Sequence, residues 1–167
     1  MWILALIPFA AQAAAIFFDE AVFHVRRGLP KWERIGHPLD TFTVILCMGY
    51  VIWVPFSIVN LFIYVGLAIF STIFITKDEF VHNTHCPATE QWLHALLFIL
   101  HPITLICAGF IWPVAQGSVV TPWIAAWLNN PNALHLFLIG QFATMCLFMI
   151  YQIVFWNLIW REPNERN

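Results

Sequence analysis

Charge is scarce in this sequence. Asp, Glu, Lys and Arg make up 10% of 167 residues, whereas a domain folded in water carries about a quarter of its residues as charges. That shortage excludes a soluble globular protein. Cysteine is sparse as well: Cys47, Cys86, Cys107 and Cys146 lie far apart and three of them fall in apolar segments, which excludes a disulfide framework and a paired thiolate knuckle. Those three read as small core residues, and Cys86 is the one placed to do chemistry. No serine or cysteine nucleophile motif is present, and no box of clustered histidines such as His-x-x-His-His. The apolar N-terminus "MWILALIPFAAQAAAIFF" lacks the basic region of a cleavable signal, so it reads as a retained membrane helix although "AQA" fits a cleavage pattern.

Hydrophobic residues are abundant, at 61% of the chain, with a mean hydropathy of +0.78. A helix crossing a hydrocarbon core of roughly 30 Å needs about 20 apolar residues. Residues 2 to about 23 supply one crossing. The uncharged run from Thr41 to Thr76 is long enough for two, with a turn at "VPFSIVN" provided by Pro55 and Asn60. A fourth crossing runs from about Glu90 to Ala115, bent by Pro102, and a fifth from about 134 to 160. Between these last two, "QGSVVTPWIAAWLNNPN" is expected to rest at an interface. The expected fold class is therefore an all-α integral membrane protein of five transmembrane helices, a single membrane domain over 1–167.

Five crossings put all seven basic residues on one side, together with the nine acids and every histidine except His135. By the positive-inside rule that side is cytoplasmic, which places the N-terminus outside and the C-terminus inside a bacterial inner membrane or its equivalent. Trp53, Trp112, Trp123 and Trp127 would form an aromatic belt on the other face.

The two cytoplasmic connections resemble each other. "DEAVFHVRRGLPKWERIGH" and "DEFVHNTHCPATEQWLH" both read as Asp-Glu, a histidine three or four places on, a proline, then Glu-x-x-x-His. Pro30, Glu33 and His37 map onto Pro87, Glu90 and His94 at a constant offset of 57. The halves, about 1–57 and 58–116, are then parallel repeats about an axis along the membrane normal, facing each other across a cytoplasmic-side metal site.

Residues three or four apart share a helix face, so Glu20 with His24, Glu33 with His37, Glu79 with His82, and Glu90 with His94 each present a carboxylate and an imidazole together. Four such pairs are enough for two metal ions. Carboxylate plus imidazole without thiolate suits iron first, with zinc or manganese as alternatives. His85 is an alternate to His82, while Asp40 and His101 are placed as outer partners or alternate ligands. Arg26, Arg27, Lys31 and Arg34 set topology, and their second use is to hold an anionic lipid headgroup.

In residue type the pattern resembles carboxylate-bridged di-iron bundles, with one Glu-x-x-His and three Glu-x-x-x-His in place of the usual pair of Glu-x-x-His turns. In its placement at the cytoplasmic membrane face it resembles membrane lipid hydroxylases and desaturases. The expected function is a membrane-embedded di-iron oxidoreductase acting on a lipid-soluble small molecule. The alternatives are a zinc-dependent hydrolase of a membrane lipid, or a non-catalytic metal-binding or structural subunit that assembles with itself or with a membrane complex. No nucleic-acid partner is expected.

Overall fold

The computed structural model describes residues 1–78 and 87–160, so Glu79, His82, His85 and Cys86 lie outside the described residues. Among those described the chain is all-helical, and five helices are long and apolar enough to cross a membrane. We number them with one short helix in chain order: α1 (Trp2–Arg27), α2 (Lys31–Trp53), α3 (Ile58–Ile75), α4 (Ala88–Ala115), α5 (Pro122–Trp127) and α6 (Pro131–Ile159).

Sequence and helix boundaries part company at α2. The apolar run begins at Thr41, but the helix begins ten residues earlier at Lys31, after Pro30 at φ −55°. Apolarity marks the part of a helix that sits in lipid, not where its hydrogen-bond ladder begins. Pro30 suits the N-terminal edge, where no amide donor is needed. Further along, Pro38 cannot donate to the Arg34 carbonyl, and Asn157 Nδ2 reaches that oxygen from α6 at 3.4 Å. The break after α2 falls at 54–57, where the Ser57 hydroxyl accepts from the Asn60 amide and the Asn60 side chain donates to the Pro55 carbonyl at 2.8 Å.

The apolar core occupies the end of the bundle away from the described acids and from the described histidines other than His135. Cys47, Met48 and Val51 of α2, Tyr64 of α3, Ala108, Ile111 and Trp112 of α4, and Leu134 and Leu138 of α6 are buried together there. Trp112 is thus a core residue and not part of an interfacial belt; its indole donates to the Val54 carbonyl at 3.0 Å. Trp53 and Trp123 are exposed, as a belt requires. Phe17, Phe62, Leu136 and Leu147 also point outward, which suits a surface bathed in lipid.

Along the bundle α1 packs on α4, while α2 packs on α3 and α6. Gly28 permits this. Its φ of +77° reverses the chain between α1 and α2, and a β-carbon there would strike the Trp160 ring. The reversal sets the last turn of α1 against the first turns of α2 and α4.

Candidate metal centre

Within α1, residues Asp19–His24 form a π-helical turn: the amide of Val25 bonds back to the carbonyl of Glu20, five residues earlier. In a regular α-helix residues 19 and 24 would point roughly 140° apart. The wider turn brings residues five apart onto one face, so Asp19 and His24 look the same way. Both are buried. Across from them α4 supplies Glu90 in its first turn and His94 one turn later, each of them buried too.

Four potential ligands meet there. One ligand atom each from Asp19, His24, Glu90 and His94 lies within 4.8 Å of all the others. Nε2 of His24 sits 3.2 Å from Oδ2 of Asp19 and 3.9 Å from Oε1 of Glu90, while Nε2 of His94 lies 3.2 Å from Oδ1 of Asp19. Two atoms each bonded at about 2.1 Å to one ion stand about 3 Å apart when adjacent and about 4.2 Å apart when opposite. The spacing is compatible with a coordination shell.

Glu20 has a different station. Its Oε1 accepts from the Tyr151 hydroxyl and the Trp156 indole, each at 2.7 Å, and its Oε2 lies 3.0 Å from Nδ1 of His24. A second π-helical turn, Phe155–Ile159, presents the Trp156 indole from α6. A carboxylate can only accept, so Nδ1 of His24 donates to Glu20, and Nε2 faces the oxygens of Asp19 and Glu90. Among the described residues Nε2 of His24 makes no aligned hydrogen bond and Oε2 of Glu90 has no hydrogen-bond partner. Carboxylates gathered in a buried space call for positive charge, which the protonated His24 ring or a metal ion can supply.

A second group adjoins the first. His24, Glu33 and His37 also bring ligand atoms within 4.8 Å of one another, and the His24 and His37 rings are 4.9 Å apart. Here a cation is already present: the Arg27 guanidinium donates to Glu33 Oε2 at 2.9 Å and to Glu90 Oε1 at 2.8 Å. Glu33 and Glu90 occupy the same place in their helices, three residues after Pro30 and Pro87, whose backbones are alike at ψ 153° and 155°. Arg27 thus pairs with two of the four buried carboxylates, Glu33 and Glu90, while Asp19 and Glu20 lie against His24.

No protein-family model, curated protein or solved structure matches this chain. The chemistry of the centre therefore rests on its donor set. Two imidazoles and two carboxylates, buried and without thiolate, can hold a metal ion.

The remaining expected site residues are spread around this cluster. Asp40 pairs with Lys77 beyond the cluster, and both it and His101 line the cavity beside it. Nε2 of His101 is 3.0 Å from the Ser71 hydroxyl, which in turn meets Thr43 at 2.7 Å. Arg26 and Lys31 are exposed, and Arg34 lies over the Trp160 ring. Of the four arginines and lysines expected at a headgroup, Arg27 is turned inward to Glu33 and Glu90. Sequence spacing passed over Asp19, Tyr151 and Trp156. The one available signal was that an Asp precedes the Glu in each connection.

Proposed function

We propose that this protein is a membrane-embedded, metal-dependent oxidoreductase, with iron as its metal and a lipid-soluble small molecule as its substrate. The observation that carries the reading is the buried group of Asp19, His24, Glu90 and His94, whose ligand atoms lie within 4.8 Å of one another. The first ion belongs in that group. A second would take Glu33 and His37 beside it, and it requires Arg27 to release Glu33. Iron bound there would supply activation of molecular oxygen.

The protein's own share is positional. Glu20 holds the His24 tautomer, Tyr151 and Trp156 hold Glu20, and a cavity of about 130 Å³ beside the cluster receives the substrate. Ile16, Val44, Leu97, Phe98 and Phe148 give that cavity apolar walls, which favours an uncharged molecule arriving from the lipid. The matching Pro30 and Pro87 turns support the view of α1–α2 and α3–α4 as parallel repeats about the centre. On the positive-inside rule the centre faces the cytoplasm.

Elemental analysis after anaerobic purification in detergent tests the metal. Iron at up to two ions per chain is the expected result. Stoichiometric zinc with no iron would overturn the oxidoreductase reading and favour hydrolytic chemistry.

A further inference from the structure

The cavity beside the cluster continues into the bundle. A second void of about 40 Å³ shares Gln12, Ile16, Val44, His101 and Met145 with it. Phe9, Met48 and Leu105 close the inner end, and no Asp, Glu, Lys or Arg lines this second void.

Among the described residues two polar atoms on its wall have no hydrogen-bond partner, Gln12 Oε1 and Thr104 Oγ1. Thr104 is 8% exposed. A buried polar group left unpaired costs about 1–3 kcal/mol. A helical threonine can avoid that cost locally, since Thr72 donates to the Ala68 carbonyl at 2.8 Å and Thr144 to the Gly140 carbonyl at 2.9 Å. Thr104 does not make that bond.

The two atoms define what would satisfy them. Gln12 Oε1 only accepts, so the occupant must donate; the Thr104 hydroxyl can donate or accept. Walls without charge disfavour a carboxylate or a phosphate. A water molecule and a hydroxyl group both meet these conditions, and the apolar walls of the adjoining cavity favour a hydroxyl that carries a chain.

We infer that the inner void receives the hydroxyl end of an uncharged, lipid-soluble alcohol, bound by Gln12 and Thr104, whose chain runs along the cavity toward Asp19 and His94. Gln12 precedes Asp19 by seven residues and His101 follows His94 by seven, so anchor and cluster are about 10 Å apart along the helices. The hydroxyl is thus a handle, and the part of the molecule presented to the metal lies two helical turns away. The inference takes the site's purpose from the oxidoreductase reading, but binding of the alcohol does not depend on it.

The test is native mass spectrometry of the detergent-purified protein with 1-decanol, decyl methyl ether and decanoate as probes, with metal content measured on the same samples. Decanol should bind at one per chain and about 10-fold more tightly than the ether, which cannot donate to Gln12. Decanoate should bind more weakly still. The Gln12→Leu/Thr104→Val variant should lose the preference for decanol over the ether while keeping its metal. Equal binding of decanol and ether by the wild type would overturn the proposal even if the variant failed to fold, and so would a folded variant that kept the preference. Alcohol preference in a protein without metal would sink the metal centre and spare this inference; metal without alcohol preference does the reverse.

Discussion

Glu20 and His24 stand four residues apart, and the spacing alone makes both look like ligands. Contacts from α6 separate their roles, because Tyr151 and Trp156 occupy one Glu20 oxygen and His24 Nδ1 the other. Glu20→Gln offers an amide in place of the carboxylate and weakens the hold on the His24 tautomer. Removing such an outer partner typically costs 10- to 100-fold in metal affinity. Chelator competition on the purified variant should show a loss of about that size, with helicity by circular dichroism unchanged. A loss as complete as that from removing His94 would instead make Glu20 a direct ligand. These partners were illegible beforehand because they lie 131 and 136 residues away in the chain, joined to Glu20 by packing alone.

The unit that builds the centre is the π-helical turn Asp19–His24. Apolar runs made the membrane helices legible, and regular helix spacing drew His24, Glu90 and His94 into view. The same regular spacing hid Asp19, since an α-helix would point it away from His24. Deleting the exposed residue Ala21 should let α1 close as an ordinary α-helix and carry Asp19 off the shared face. The deletion variant is expected to insert, stay helical and lose its metal. Full metal retention would show that the wider turn is incidental. Pro30 and Pro87 act on the same scale, fixing the starts of α2 and α4 so that Glu33 and Glu90 both fall in a first turn beside Arg27.

Across the whole molecule the two ends do different work. A dry core around Trp112 and Tyr64 holds the helices together, and the opposite end gathers the buried carboxylates of Asp19, Glu20, Glu33 and Glu90. A cation at the centre should therefore stabilise the fold. Metal at 100 times its dissociation constant adds about 2.7 kcal/mol. For a chain of this size, stripping it with a chelator should lower Tm on the order of 5–10 °C, reversibly. No change in Tm on chelation would mean that the carboxylates are balanced without a metal. The burial of these carboxylates was only partly legible, because composition counts charges without telling which are buried.

The claim beneath all of this is that Asp19, His24, Glu90 and His94 share one metal ion. Metal stoichiometry of the purified wild type beside an Asp19→Asn/His94→Ala variant of equal helicity addresses it most directly. The account predicts bound metal in the wild type and its loss in the variant. Equal metal in both proteins, or none in the wild type after anaerobic purification with iron supplied, would contradict it.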